Sequence, residues 1–156
     1  MSAAPRIWLF KSEPEAFSID DLAASPGGVA PWEGVRNYQA RNLLRDEVRP
    51  GDRVIFHHSS VKPPAAVGVA EVVRGGYPDR SDGSADDDPP RWIQVDVRFL
   101  ARFPRPVSID RMRAIPALAA LPLLRRGNRL SIQPVSPDEF RAIVREGGLD
   151  PGELLP

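Results

Sequence analysis

The stretch RWIQVDVRFLARF, residues 91–103, sets Trp92, Gln94, Asp96 and Arg98 alternately against Ile93, Val95, Val97 and Phe99. Successive side chains on a strand point to opposite faces, so this period of two predicts a half-buried β-strand. It is the clearest strand in the chain, and the fold is read outward from it.

Upstream, RIWLFK (6–11) is a short run of strand formers with apolar residues on both faces, as a central strand requires. DRVIFHH (52–58) and AAVGVAEVV (65–73) read as two more strands, and RLSIQPV (129–135) as the last. Helices are marked by their caps. Ser18 and Asp21 form a capping-box pair ahead of a helix that Pro26–Gly28 ends. Asn37 is a good N-cap for YQARNLLRDEV (38–48), which Pro50 and Gly51 stop. Residues 108–114 predict a short helix. Ser136, Pro137 and Gly147 serve as cap, first position and stop of an amphipathic helix. GGYPDRSDGSADDDPP (75–90) has the composition of an exposed loop. Five or so strands interrupted by short helices argue against a regular parallel βαβ sheet. The expected class is α+β: a small mixed, mainly antiparallel β-barrel with short flanking helices, forming one domain over residues 1–156.

At 156 residues the chain is long enough to bury a substantial core. It has no cysteine, which excludes disulfides and thiolate chemistry and points to a reducing cytoplasm. No signal-like run opens the chain, and no stretch approaches the roughly 20 apolar residues of a membrane span. A cytoplasmic monomer with no membrane association is expected. Formal net charge is zero, but its distribution is uneven. Eight arginines lie between 98 and 129 against the single acid Asp110, whereas residues 79–96 hold six aspartates against Arg80 and Arg91. A basic side of this kind can track phosphates. The count of 19 Arg to 2 Lys also fits the codon usage of a GC-rich genome.

Enzyme signatures are sparse. His57 and His58 are the two histidines, and as strand neighbours they point to opposite faces, which suits no shared metal. Residues 86–88 read as a solvated acidic loop rather than a metal cluster. G-x-S-x-G, Walker A and G-x-G-x-x-G patterns are absent. No cofactor and no metal are expected.

WLFKSEPEAFSIDDL (8–22), WEGVRNYQARN (32–42), FHHSS (56–60), GGYPD (75–79), DPPRWIQVDV (88–97) and RLSIQPVSPDEF (129–140) follow one another in the chain. In that order, over residues 7–144, they resemble the EVE domain family. The resemblance implies a PUA-like fold, a mixed barrel related to ASCH and YTH domains. Those relatives bind RNA, the YTH domain by caging a methylated base. EVE domains are associated with reading modified bases, notably modified cytosine in DNA, in a similar pocket. Where eukaryotic members have an aromatic residue before the His-Ser pair, this chain has His57.

A flipped base needs flat surfaces for its faces and donors and acceptors for its edge. Trp32 and Tyr38 offer the flat surfaces, and Asn37 carries both a donor and an acceptor. Asn37 and Arg41 lie four apart at the head of a helix whose first N–H groups can meet a carbonyl or phosphate oxygen. By the family pattern, Lys11, Ser12, Val35, His58, Ser59 and Ser131 line or border the pocket, and Arg36 and Arg41 are candidates for phosphate contact. Arg125, Arg126 and Arg129 would form a nucleic-acid rim. Trp32 is placed in a loop, as a stacking wall more than a strut of the core. Each residue also has a plainer role open to it. Trp32 and Tyr38 could be core aromatics, and Trp8 and Trp92 are read as core. Asn37 could be only a cap, Arg41 could pair with Glu13 or Glu33, Lys11 could be a solvated edge residue, and Ser131 could satisfy backbone groups. The expected function is a non-catalytic module that reads a modified or flipped nucleobase in DNA or RNA. The alternatives are an RNA-binding PUA-like module, an enzyme using His58 with Ser59 or Lys11, and a pocket for a small metabolite.

Overall fold

A computed structural model describes residues 4–83, 89–127 and 130–156. Among these, six strands form one sheet: β1 (Ile7–Ser12), β2 (Val29–Trp32), β3 (Arg53–His58), β4 (Ala65–Pro78), β5 (Ile93–Ser108) and β6 (Ile132–Val135). Their order is β2-β5-β4-β3-β1-β6. β1 runs parallel to β3 and every other neighbouring pair is antiparallel. Helices α1 (Ile19–Ala24), α2 (Tyr38–Asp46), α3 (Ile109–Arg113) and α4 (Pro137–Glu146) flank the sheet.

The mixed, mainly antiparallel α+β class stands, but the sheet is not closed into a barrel. β2 pairs with β5 alone and β6 with β1 alone, so these two strands remain edges. Each carries a proline, Pro31 in β2 and Pro134 in β6. A proline has no N–H to give to a further ladder and is confined to edges for that reason.

The strand alternation divides the apolar residues between the two faces. Trp8 and Phe10 of β1, Val54 and Phe56 of β3 and Val95 and Val97 of β5 pack with α1 and α2. Ile7 and Leu9, Ile55, Phe103 and Val107 pack with α3 and α4 on the other face. Asp52 locks the start of this arrangement. Although buried, it accepts from the Arg6 N–H (2.9 Å), the Trp8 indole (2.8 Å) and the Arg49 N–H (2.9 Å). A buried carboxylate is tolerated when its lone pairs are matched in this way.

The caps behave as expected. Ser18–Asp21 and Ser136–Glu139 form capping boxes, Ser108 caps α3, and Asn37 Oδ1 accepts from the Ala40 N–H. α2 stops at Asp46, two residues before the expected end, leaving Val48 buried beyond it. Two regions depart from the sequence reading. Residues 75–78, expected in a loop, extend β4, and Trp32 lies in strand β2 rather than in a loop. The acidic residues 86–88 lie outside the described residues.

Candidate functional site

A cleft of about 580 Å³ opens between β2 and the end of β1. One wall is the end of β1 with Ser131, which just precedes β6. The other is β2 with the turn that leads to α2, and Phe17 and Ala16 complete the lining.

Of the expected site residues, Lys11, Ser12, Trp32, Val35, Arg36, Asn37 and Ser131 are brought together in this lining. Trp32 is both wall and core. It is only 6% exposed, and its ring sits 5.1 Å from those of Phe10 and Phe56 and 6.2 Å from that of Phe17. Asn37 spends its carboxamide oxygen on the Ala40 N–H at 2.9 Å, which leaves its NH2 group as what it can offer a ligand. Ser12 Oγ donates to the Phe17 carbonyl (2.5 Å) and so holds the 13–17 turn against the cleft. The Lys11 N–H donates to the Ser131 carbonyl at 2.9 Å, tying the two strand ends together. Burial lowers the Lys11 ammonium pKa below its ordinary value.

The residue that organises the cleft was not found in the sequence. Asp79 is buried and accepts from the Gly34 N–H (2.9 Å), Arg36 Nη1 (3.0 Å), the Ser81 N–H (2.8 Å) and Ser81 Oγ (2.6 Å). Burial alone would raise its pKa, but the hydrogen bonds from Ser81, Gly34 and Arg36 hold it down at about 2. The turn carrying Val35, Arg36 and Asn37 is therefore fixed by a carboxylate more than forty residues away in sequence. Arg36 also donates to the Val35 carbonyl and to Ser81 Oγ, so much of its donor capacity is engaged within the fold.

Four expected residues do not line the cleft. Tyr38 lies outside it, stacked on Trp92 with ring centroids 5.0 Å apart and planes 24° apart. Trp92, read as core, is half-buried beneath it. Arg41 donates to Asn42 Oδ1 (2.8 Å) and the Arg91 carbonyl (2.8 Å), and pairs with neither Glu13 nor Glu33. His58 Nε2 accepts from the Ile19 N–H at 3.1 Å, and the Ser59 N–H donates to the Ser12 carbonyl at 2.9 Å. Both serve the scaffold beside the cleft. His57 is buried, and neither ring nitrogen has a hydrogen-bond partner among the described residues. Burial, with help from the Lys11 and His58 charges, lowers its pKa to about 4. His58 is lowered too, mainly by burial.

The arginine-rich segment is partly neutralised. Arg98, Arg102, Arg111 and Arg113 pair with Glu71, Asp20, Glu146 and Asp110. Arg125 and Arg126 are exposed, and Arg129 lies outside the described residues. Among the described residues no group of three or more His, Cys, Asp or Glu side chains could hold a metal ion. No helix there is long and apolar enough to cross a membrane.

Comparison with known proteins bears on the family and the fold. A family model described as the EVE domain matches residues 6–146. Thymocyte nuclear protein 1 of Mus musculus is 37% identical over 163 residues, covering 88% of this chain and 71% of that protein. A crystal structure of a Pseudomonas putida protein has a TM-score of 0.83 at 40% identity, over 90% of this chain and 99% of that one. The crystal structure of human THYN1 protein in complex with 5-methylcytosine-containing DNA has a TM-score of 0.83 at 34% identity, over 93% of this chain and 99% of that one. The YTH domain of a Zygosaccharomyces rouxii protein, in complex with N6-methyladenosine RNA, shares the fold alone, at TM-score 0.54 and 16% identity. These relatives overturn the expected cytoplasmic location, since the mouse and human proteins are named as nuclear. Absence of cysteine is compatible with any reducing compartment and does not separate nucleus from cytoplasm.

Proposed function

The chain belongs to the EVE domain family, and from that footing we propose that its cleft holds one nucleobase flipped out of DNA, modified cytosine first among the candidates. The observation that carries this reading is the cleft itself: roomy enough for a base, and lined by Trp32, the Asn37 side chain with its NH2 group, and Lys11. The likeness to human THYN1 protein in complex with 5-methylcytosine-containing DNA names the modification to try first.

Contact with the exposed part of Trp32 and with Phe17 would supply affinity, and the polar groups would read the base edge. The Asn37 NH2 donors suit the O2 and N3 acceptors of a cytosine. A methyl group at C5 adds apolar area that Phe17, Ala30 and Pro31 can cover. A non-catalytic role is favoured because His58, the candidate general base, already accepts a backbone N–H and lies outside the cleft lining. Arg125 and Arg126 are candidates for the rim that meets phosphates.

The test is a binding panel of oligonucleotides with and without 5-methylcytosine, in DNA and RNA, at two salt concentrations. Affinity is expected to fall with salt while the preference for the modified base persists, because phosphate contacts carry the first and the cleft the second. Replacing Arg125 and Arg126 by Ala should flatten the salt slope and spare the preference. Equal affinity for modified and unmodified strands would remove the proposal.

A further inference from the structure

Tyr38 is the exposed large hydrophobic residue among those described, with 57% of its surface in water, although no wall of the cleft needs it. Its ring is not a loose side chain. It sits at the first position of α2 and stacks on Trp92, which immediately precedes β5. The Arg36 guanidinium carbon lies 5.3 Å from the Trp92 ring centroid, and that of Arg41 lies 5.0 Å from the Tyr38 centroid. Both guanidiniums are held in place, Arg36 by Asp79 and Ser81 and Arg41 by Asn42 and the Arg91 carbonyl. The result is a fixed surface ladder in which Trp92 backs the exposed Tyr38 ring and one guanidinium lies beside each ring.

We propose that this ladder is a second base-binding surface, on which the nucleobase next to the one in the cleft stacks against Tyr38. The inference rests on reading the cleft as a base site, and it adds a nucleotide outside that site. Three observations favour a nucleic acid as the occupant. The ladder joins the cleft directly, because Arg36 lines the cleft and reaches Trp92, and Asn37 of the cleft adjoins Tyr38 in sequence. Arg41, beside Tyr38, donates to the neutral Asn42 side chain and Arg91 carbonyl and so keeps its charge, which matches a strand whose bases alternate with phosphates. The rings are stacked in advance of any ligand, so little side-chain freedom remains to be lost on binding. Flipping one base out also breaks its stacking with its neighbour, and Tyr38 would replace that contact.

Single-stranded oligonucleotides carrying one 5-methylcytosine test this, in two forms: with natural neighbours, and with abasic sites on both sides of the modified base. Binding is measured for the unaltered chain, Tyr38→Ala and Tyr38→Phe, with thermal melts to establish that each folds. Tyr38→Ala should weaken the natural oligonucleotide about ten-fold or more, the usual worth of one base–aromatic stack. It should leave the abasic form unchanged, and Tyr38→Phe should bind both forms like the unaltered chain. Unchanged affinity of Tyr38→Ala for the natural oligonucleotide would overturn the inference and leave the ladder to a protein partner. An equal loss on both forms would also overturn it, because the ring would then act on the cleft. Failure of the cleft reading looks different: affinity that ignores the methyl group but still depends on Tyr38 and on the neighbouring base.

Discussion

Two buried carboxylates do the same chemistry in two regions of this molecule, with different consequences. Asp52 accepts three N–H groups at the junction of β1 and β3, one of them from the fully buried Trp8 indole. Asp79 accepts from Gly34, Arg36 and Ser81 beside the cleft. The first ties rigid strands to one another. The second ties a turn that would otherwise be free to move, and that turn carries three residues of the cleft wall. The same interaction thus serves stability in one region and preorganisation in the other.

The comparison can be broken by removing each carboxylate in turn. Asp52→Ala leaves the buried Trp8 indole and two part-buried backbone N–H groups without their acceptor, and unfolding by denaturant should show a loss of about 3 kcal/mol or more. The fraction that remains folded should bind the modified oligonucleotide normally. Asp79→Asn keeps an acceptor but removes the charge facing the partly exposed Arg36. It should cost about 1–2 kcal/mol of stability and weaken base binding roughly ten-fold, because the turn is no longer held. If the two variants lost stability and binding in the same proportion, the division of labour between these regions would be wrong.

Between these two effects in size stands a pH dependence centred on His57. Its folded pKa, about 4, lies below the ordinary 6.5. The unfolded chain therefore takes up the proton first as pH falls. Stability is full above pH 6.5 and is lost as pH drops from 6.5 towards 4, by about 3 kcal/mol at about 1.4 kcal/mol per pKa unit. His57→Phe removes that titrating ring, and its stability should fall less steeply across that window than the unaltered chain's, the remaining slope coming from groups such as His58. Parallel pH profiles for the two proteins would mean that His57 is not held neutral by its surroundings.

What the sequence disclosed follows the range of the interactions. The strand over residues 93–99 and the capped helices α1 and α4 are set by neighbours a few positions away, and their patterns are plain to read. β2 was missed because four residues containing a proline offer no period. The end of β4 was read as loop because it contains Gly75, Gly76 and Pro78. Gly76 is there for packing: a Cβ would meet the Leu44 carbonyl oxygen of α2 at 2.8 Å. Barrel closure could not be judged, since it depends on which strands become edges. In the site, the motif from Trp32 to Asn37 was legible as a local cluster of planar side chains. Tyr38 belongs to that cluster in sequence but turns to Trp92, and Asp79 works on partners 43 and 45 residues away. Neither placement leaves a local pattern.

The central claim is that the cleft between β2 and the end of β1 receives a base. A crystal structure of the chain with a duplex containing one 5-methylcytosine tests it most directly. The account predicts that base in the cleft, in contact with Trp32 and with its edge at the Asn37 NH2 group. A methylated base still stacked in the duplex, with the cleft free of it, would contradict the account.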